Sequence, residues 1–323
     1  MATIPTLQLG SNNWATKDSK LLGYYQKQGY YLSREFTFAR TSEGTYVGRD
    51  GLIKTAPAGI ARVDFLGNAN GALLLEPART NLFLNSDVGV TQSITVTDAT
   101  AYTFYFLEGT GSIALTGAAT ETITKSDLDL SGAVTFTTSG TTLTCTVTGT
   151  ANLVQCEEGT CPTSYIKTEG ASVNRGSESA TIPIGNLISA AQGTIYYEID
   201  VRAMKAGTMR LANWKNTSNS NQLTIYKTSS TLHWYDYANG ISRGGTLSYI
   251  DNPIQKKAIT WDAVGSRAIS NGGAISTTDT PFSVEWQNMQ LQMEVQDGAY
   301  LFREIRLYPD TMTDQELIDL TTL

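Results

Sequence analysis

A run of threonine-rich segments in the middle of the chain is the feature that most limits its fold. Residues 91–150 contain 19 threonines, in stretches such as SITVTD, YTFYFLEG and TLTCTVTG where apolar and polar residues alternate. Alternation with a period of two places every second side chain on one face of a strand, and β-branched threonine is favoured there. Glycine and aspartate between the stretches supply turns. The pattern predicts a small antiparallel β-sandwich of about six to eight short strands.

Longer and more aromatic strand patterns follow in residues 175–310, for example GTIYYEIDVRA, TLHWYDY and YLFREIRLYP. Segments rich in Gly, Asn and Ser separate them, and their number fits a second, larger sandwich. Near the end of the chain, Thr313 and Glu316 have the spacing of a capping box, and an apolar stripe begins at Leu317. We therefore expect a short C-terminal helix that docks on the sheet.

The first part of the chain has no persistent periodicity. Short apolar groups such as LLGYY, GYYL and ARVDFL alternate with Gly, Asn, Ser and Arg. A chain with this many large apolar residues does not stay loose in water, so we expect a folded arm packed on a neighbour. The predicted organisation is all-β, with an irregular N-terminal attachment segment (residues 1–86), a small Thr-rich sandwich (87–170) and a larger sandwich (171–323).

Charge and composition argue against several classes of partner. The formal net charge is −7, and no cluster of five basic residues occurs in the sequence. Nucleic acids and anionic membranes both require a cationic face, so neither is expected as a partner. The N-terminal sequence lacks a basic start followed by an apolar run, and no apolar stretch is long enough to cross a bilayer. The sequence thus predicts synthesis and folding in a cytoplasm.

The cysteines point to packing rather than to chemistry. Cys145, Cys156 and Cys161 are odd in number, so small buried hydrophobic side chains are expected rather than a disulfide framework. A zinc site would need about four ligands in closely spaced pairs, and the one histidine, His233, is far away in sequence. Asp297 beside Gly298 is a weak candidate for calcium. No cofactor is predicted.

Three motifs occur in an order that resembles tailed-bacteriophage virion and prophage proteins. They are FTFARTSEGTYVGRDGLIKTA (36–56) with ARVDF (61–65), ALLLEPARTNLFLNSD (72–87) and VQCEEGTCPTSYIKTEGASVNRGSE (154–178). The last segment, FREIRLYPDTMTDQELIDLTTL (302–323), resembles the end of a laminin-G or concanavalin-A-like lectin sandwich of jelly-roll type. The resemblance covers nearly the whole chain. Cys156, Cys161 and Lys167 depart from the usual pattern of the third motif.

This resemblance implies a structural protein of the virion, displayed on the capsid as a head fibre, spike or decoration and released by lysis. The implied role is weak adhesion to host or environmental glycans, made useful by many copies. Partners would be other capsid or tail proteins and further copies of the chain, as a homotrimer or homodimer. The alternatives are a tail fibre or tail-associated receptor-binding protein and, with less support, a polysaccharide depolymerase. A bacterial surface adhesin is disfavoured by the lack of a signal sequence.

The strand YYEIDVRA (196–203) raises the question of catalysis. A retaining glucanase needs two carboxyl groups about 5 Å apart. Glu198, Asp200 and Arg202 would share one face of the strand. The second glutamate of the glucanase pattern is expected at position 202 or 203, where Arg202 and Ala203 stand. We therefore predict no enzyme but a strand with a charged outer face, on which Arg202 pairs with a carboxylate.

Candidate contact residues follow from side-chain type. Lectin surfaces combine an aromatic ring with Asn or Asp hydrogen bonds, so the glycan-binding candidates are Trp214, Asn216, Tyr235, Tyr237 and Asn239; core or interface packing is the alternative for the aromatic residues. The candidates for attachment to the virion are Leu21, Leu22, Tyr24, Tyr25, Tyr30 and Tyr31. In LLLEPARTNL, Pro77 is expected to end a strand, and Glu76 to pair with Arg79 across the turn.

Overall fold

The computed structural model describes residues 4–10, 14–27, 30–185, 187–189, 191–201, 209–215, 222–227, 232–238, 241–247, 252–279, 288–292 and 299–323. These residues form β-strands joined by turns, with one short helix at the C-terminal end. The predicted fold class, all-β with a short C-terminal helix, is confirmed.

The strands fall into three stretches of sequence. The first contains β1 (Leu7–Gly10), β2 (Ala15–Lys17), β3 (Lys20–Lys27), β4 (Tyr30–Glu35), β5 (Thr37–Ala39), β6 (Gly44–Val47), β7 (Ile53–Ala56), β8 (Arg62–Asp64), β9 (Ala72–Leu75) and β10 (Arg79–Asn81). The second contains β11 (Gln92–Thr95), β12 (Ala101–Glu108), β13 (Ser112–Gly117), β14 (Glu121–Ile123), β15 (Val134–Thr137), β16 (Thr142–Thr148) and β17 (Asn152–Glu158). The third contains β18 (Val173–Arg175), β19 (Ser179–Pro183), β20 (Gly193–Val201), β21 (Met209–Lys215), β22 (Gln222–Lys227), β23 (Leu232–Ala238), β24 (Ile241–Leu247), β25 (Ile254–Trp261), β26 (Ser266–Ser270), β27 (Ser276–Thr278), β28 (Asn288–Gln292) and β29 (Tyr300–Tyr308), followed by helix α1 (Asp314–Thr321).

The threonine-rich region folds as the predicted small sandwich. Its two sheets have the strand orders β11-β16-β13-β14 and β15-β12-β17, which together make seven strands. Inward-facing apolar side chains of both sheets form one core that includes Phe83, Phe104 and Phe106. Phe83 packs edge-on against Phe104 with 5.9 Å between ring centroids. Most of the threonines lie at strand positions that alternate with these core residues, as the period-two pattern requires.

The larger sandwich is built around a sheet of eleven strands. Its main path runs β2-β3-β1-β29-β20-β25-β26-β27, with β4, β8 and β9 attached to it. Two smaller sheets, β21-β22-β23-β24 and β28-β19-β5, supply the opposite wall of its core. Trp234 from β23 and Trp261 from β25 are both buried in that core.

Strands of the N-terminal segment are integral to the larger sandwich, which differs from the predicted arm. β1 pairs antiparallel with β29, with Leu7 opposite Leu307, and β9 pairs with the other end of β29, with Leu74 opposite Leu301. Leu7 and Leu9 are almost fully buried in the same core as the β20 and β25 side chains. These pairings could not be recognised from a local pattern, because β29 lies more than two hundred residues away from β1 and from β9 along the chain.

Helix α1 covers part of the outer face of the large sheet. Thr313 and Glu316 form the predicted capping box, in which each side chain bonds to the other residue's backbone N–H. Leu317 and the preceding Met312 pack against Tyr196 and Ile269 of the sheet. Arg267 also stabilises the first turn of the helix, since its guanidinium contacts the Asp314 carboxylate at 2.5 Å. Within the described part of the chain, no helix has the length and apolar character needed to cross a membrane.

Candidate functional site

A buried cluster of five charged side chains lies where the two sandwiches meet. Its members are Arg40, Arg62, Glu76, Arg175 and Glu178, each no more than 3% exposed. Arg62 bridges the two carboxylates: it contacts Glu76 at 2.8 Å and bonds Glu178 through both Nε and Nη2. Arg40 reaches Glu178 at 2.6 Å and Arg175 reaches Glu76 at 2.8 Å. We call this group the ion cluster.

The five members of the ion cluster come from four segments of the three sequence motifs. Arg40 belongs to FTFARTS, Arg62 to ARVDF, Glu76 to LLLEP, and Arg175 and Glu178 to VNRGSE. Sequence separations of up to 138 residues are closed by these contacts. The three motifs therefore build the joint between the sandwiches.

Hydrogen bonds complete the ion cluster. The Ser164 backbone N–H and Oγ donate to the two oxygens of Glu76 at 2.7 and 2.6 Å. Burial raises the pKa of the Glu76 carboxyl, but Arg175, Arg62 and the two Ser164 bonds outweigh that effect and lower the pKa to about 2. Glu76 is therefore ionised at neutral pH. The sequence predicted a Glu76–Arg79 pair. The ion pairs of Glu76 that the structure identifies are with Arg62 and Arg175, because β8 and β18 bring these arginines to the end of β9.

Beside the ion cluster is an open cleft with a volume of about 780 Å³. All three parts of the chain contribute to its walls: strands β6 to β9, the loop of residues 127–133 in the small sandwich with the segment 162–165, and Asp200, Pro253 and Ala299 of the larger sandwich. Clefts of roughly 300–1,000 Å³ with apolar walls and a few polar groups are the usual form of a small-molecule site. We call this space the junction cleft.

The apolar walls of the junction cleft belong to two small clusters. Leu107 and Tyr165 are packed together with Ile53 and Leu130 on one side. On the other side, Leu74 is packed with Ala299 and half-buried Tyr46. The hydroxyl of Tyr165 donates to Asp87 at 2.8 Å, which fixes the ring that faces the cleft. The walls are thus held by packing that does not depend on a ligand.

Five carboxylates are among the polar groups that line the junction cleft. They belong to Asp64, Glu76, Asp127, Asp129 and Asp200. Asp64 is 2% exposed and accepts backbone hydrogen bonds from Val47 at 2.8 Å and Leu66 at 2.9 Å. Asp127 and Asp129 are exposed on the loop at the cleft's edge. Among the described residues that line the cleft there is no Lys, Arg or His.

The carboxylates of the glucanase-like strand share one arginine. Arg303 of β29 contacts Asp200 at 2.8 Å and Glu198 at 3.6 Å. The expected charged face of β20 is present, but the pairing cation that the structure identifies is Arg303; Arg202, the predicted partner, lies outside the described residues. Sequence alone could not give this pairing because Arg303 lies at a register shift in the pairing of β20 with β29.

The glycan-binding candidates taken from the sequence are only partly within the described residues. Trp214 lies on β21, and Tyr235 and Tyr237 lie on β23, whereas Asn216 and Asn239 fall outside the described part of the chain. In the sheet register, Trp214 is opposite Leu223, and Tyr235 is opposite Thr224. Trp214 and Tyr235 therefore belong to neighbouring rows of the sheet. The role of all five candidates in glycan binding stays a prediction.

The six attachment candidates differ in exposure. Leu21 is 1% exposed and packs in the core of the larger sandwich, so it cannot serve as contact surface. Leu22, Tyr24 and Tyr25 are half-buried, and Tyr25 carries the Arg34 guanidinium over its ring. Tyr30 and Tyr31 are 75% and 56% exposed on β4. Exposure of this kind is what attachment requires, and attachment itself stays a prediction.

The cysteines behave as the sequence predicted. All three are free and buried, and Cys145 and Cys156 lie in the core of the small sandwich. Burial raises the pKa of Cys145 to about 12, so it has no nucleophilic character at neutral pH. The described residues contain no group of three or more His, Cys, Asp or Glu side chains placed to hold a metal ion. The weak calcium candidate Asp297 lies outside them.

The sequence reasoning missed the junction cleft. Asp127, Asp129 and Ser131 in KSDLDLSGA are a local cue, since three polar side chains alternate with leucine before a glycine. Asp64 and Asp200 gave no such cue, because each stands in an ordinary strand pattern. Only the folding of β8 and β20 to the same side of the joint brings them to one cleft.

Comparison with known proteins identifies no family. No protein-family model matches the chain, and no curated protein matches its sequence. Solved structures with a similar fold include the Ruminococcus gnavus IT-sialidase CBM40 bound to α2,3-sialyllactose, with 18% identity and a TM-score of 0.34. This match covers 42% of the present chain and 85% of the CBM40 chain. Another is the binding domain of botulinum neurotoxin DC in complex with rat synaptotagmin II, at 13% identity, covering 45% of this chain and 40% of that one, with a TM-score of 0.38. Similarity at this level assigns neither a ligand nor a function to the present chain.

Proposed function

We propose that this protein is a non-enzymatic structural component of a tailed-phage virion, displayed on the capsid as a head fibre, spike or decoration, and that it adheres weakly to glycans through the junction cleft. The junction cleft is the observation that carries the adhesive part of the proposal. It combines about 780 Å³ of space with apolar walls and converging carboxylate acceptors, which is the combination that binds the faces and hydroxyl groups of sugars.

The sequence motifs support the virion part of the proposal. Residues of FTFARTS, ARVDF, LLLEP and VNRGSE meet in the ion cluster, so the likeness to phage virion proteins concerns the joint that sets two sandwiches against each other. A rigid joint suits a part that is anchored at one end and displayed at the other. Exposed Tyr30 and Tyr31 on β4 are available for contacts with other virion proteins or with further copies in a homotrimer or homodimer.

The arrangement around β20 supports a non-enzymatic role. A retaining glycosidase uses one carboxylate as a free nucleophile and a second carboxyl group as a proton donor. Here Arg303 contacts both Glu198 and Asp200. The depolymerase alternative predicts cleavage of host capsule that is lost when Glu198 and Asp200 are both replaced; absence of cleavage by the wild-type protein ends that alternative.

Binding to a glycan panel tests the adhesive role. Ser131 is exposed and lines the junction cleft, so Ser131→Trp should fill the space while leaving the sandwich intact. Ser93 is exposed on β11 outside the cleft, which makes Ser93→Trp the matched control. We expect wild type and Ser93→Trp to bind the same glycans and Ser131→Trp to lose them. Equal binding by all three proteins would contradict a role for the cleft.

Location on the particle tests the virion role. Gold-labelled antibody against residues 175–323 is applied to intact virions in the electron microscope. Label over the head is the expected result for a head fibre or decoration. Label at the tail tip would contradict the head-fibre role and support the tail-fibre or receptor-binding alternative. Virions without label would contradict the virion role altogether.

A further inference from the structure

We infer that the protein forms a two-fold dimer in which strand β4 of one copy pairs antiparallel with β4 of a second copy, centred on Ser33. The self-association included in the proposed function is the basis of this inference, which adds the surface, the partner strand and the register. Addition of a strand to an open sheet edge is a general mode of protein recognition, because main-chain hydrogen bonds supply affinity.

Strand β4 is an open edge of the large sheet. Among the described strands it pairs with β3 alone, and that pairing has no register shift. The strand is six residues long and contains no proline, and its two charged residues, Arg34 and Glu35, both lie at one end. Proline, bulges and charges along the strand are the usual protection of an edge whose unpaired N–H and C=O groups can bind another chain. Most of β4 therefore lacks this protection.

The pairing with β3 identifies which backbone groups of β4 are open. The N–H of Phe36, which directly follows the strand, donates to the Leu21 carbonyl at 2.8 Å. In an antiparallel ladder, residues that bond to one neighbour alternate with residues that bond to the other. The even-numbered residues of β4 therefore bond to β3, whereas Tyr31, Ser33 and Glu35 direct their N–H and C=O groups to the open edge.

Apolar side chains accompany the open edge. Leu32 lies opposite Tyr25, whose ring packs against the core of the larger sandwich. Both side chains are therefore on the core-facing side of the sheet. Leu32 is nevertheless 42% exposed, and Tyr30 on the same side is 75% exposed. A second copy of the strand would cover part of both side chains, since directly opposite residues lie only about 5 Å apart.

Symmetry and charge select one register. A two-fold antiparallel pair must be centred on a residue that faces its own copy, because opposite residues share one face of the sheet. With Ser33 at the centre, Tyr31 faces Glu35 of the second copy, and all three open residues form hydrogen bonds. A centre at Arg34 would set two like charges opposite each other. A centre at Leu32 would leave Glu35 beyond the end of the other strand.

The side chains that meet in the selected register are complementary. Leu32 faces the aliphatic stem of Arg34 of the second copy, and the Tyr31 hydroxyl is a donor for the Glu35 carboxylate. That carboxylate is also balanced in its own copy by Lys20 at 2.7 Å. An edge of six residues is a small interface, so we expect a dissociation constant on the order of 10 µM.

Sedimentation equilibrium of the full chain tests the dimer. Wild-type protein is measured from about 1 to about 100 µM, which brackets the expected dissociation constant. We expect the mass to rise from that of one chain toward that of two chains. The mass of a single chain at every concentration, or a mass that rises to three chains, would overturn the inference.

Charges at the centre of the strand test the register. Ser33 is exposed, and in the dimer it faces its own copy. Ser33→Asp and Ser33→Lys each place like charges directly opposite, so each should weaken self-association about threefold to fivefold. An equimolar mixture of the two variants brings opposite charges to that position, and its mixed dimer should form about tenfold more tightly than either single-variant dimer. Ser93→Asp and Ser93→Lys, exposed on β11, are the controls and should associate as the wild type does.

Mild oxidation of a cysteine variant tests the same position without adding charge. The three native cysteines are buried, so Ser33→Cys supplies an exposed thiol that faces its own copy in the dimer. We expect Ser33→Cys to form a disulfide-linked dimer on a denaturing gel, and the control Ser93→Cys to remain a single chain. Equal cross-linking of the two variants would contradict the pairing of β4 with itself.

The outcomes distinguish the dimer from the rest of the proposed function. Unchanged association of both charge variants, or a mixture that associates no more tightly than the variants alone, overturns the inference. A monomeric wild type also removes self-association from the proposed function. Glycan binding by the junction cleft and location on the particle are decided separately, by the glycan panel and by the antibody label.

Discussion

The ion cluster and the junction cleft lie side by side but differ in the environment of their carboxylates. In the ion cluster, Glu76 and Glu178 are each held by two arginines and are shut away from water. The junction cleft is open, and apolar side chains such as Leu107 and Ala299 line it together with carboxylates such as Asp127. Balanced buried charge can fix the arrangement of the chain, whereas an open space with apolar and polar walls can receive a ligand.

The two regions also differ in how easily their residues can be recognised in the sequence. The residues of the ion cluster lie in long motifs. A buried charge without its partners carries a large free-energy penalty, so the five charged residues depend on one another. The cleft draws on single aspartates in ordinary strand and loop patterns. We therefore expect changes in the cluster to affect folding and changes in the cleft to affect binding.

The largest expected effect comes from Glu178. Glu178→Gln removes the carboxylate that Arg40 and Arg62 share and leaves two buried arginines with one fewer counter-charge. Breaking a buried ion pair in this way costs about 3–5 kcal/mol of the free energy of unfolding, as measured by urea denaturation. Glu35→Gln, which removes an exposed partner of Lys20, is the control and should change little. A small loss for Glu178→Gln would mean that the cluster does not hold the joint.

The next effect is a dependence on acid. The pKa of Glu76 is lowered from 4.5 to about 2, because Arg175 and Arg62 outweigh the opposing effect of burial. The stability that this carboxylate contributes is therefore present above about pH 4.5 and is lost as the pH falls toward 2. A shift of this size corresponds to on the order of 3 kcal/mol.

Comparison of two stability curves isolates the Glu76 contribution. The free energy of unfolding is measured between about pH 6 and pH 2 for the wild type and for Glu76→Gln. We expect the variant to be less stable at pH 6 and the two curves to approach each other on acidification. Parallel curves would contradict the assignment of the acid sensitivity to this carboxylate.

A smaller effect on binding is expected from Arg303. Arg303→Gln removes the guanidinium that balances Glu198 and Asp200, so the rim of the cleft becomes more negative. On the glycan panel, the affinity for negatively charged glycans should then fall by about threefold, while neutral glycans are unaffected. Weaker binding of neutral glycans would show that Arg303 itself takes part in binding.

Local sequence patterns predicted the parts of the fold that depend on neighbours in the chain. The alternation in TLTCTVTG predicted strands of the small sandwich, and Thr313 with Glu316 predicted the capped helix. The pairing of β1 and β9 with β29 was not predictable in this way, because the energy of a four-residue strand comes from partners that a local pattern does not contain.

Prediction of the site residues from the sequence met the same limit, because their partners lie on distant strands. Glu198 and Asp200 could be placed on one face of a strand, but Arg303, which pairs with both, could not be found because it lies on another strand at a shift of register. Glu76 was recognised as a paired carboxylate, but its partners Arg62 and Arg175 were not, since only β8 and β18 bring them to it.

A crystal structure of the protein soaked with a glycan that it binds tests the central claim most directly. We predict a sugar in the junction cleft, with its hydroxyl groups near the carboxylates of Asp64 or of the loop at Asp127. A sugar bound instead on the strands that carry Trp214 and Tyr235, with the cleft empty, would contradict the division of labour between the ion cluster and the cleft.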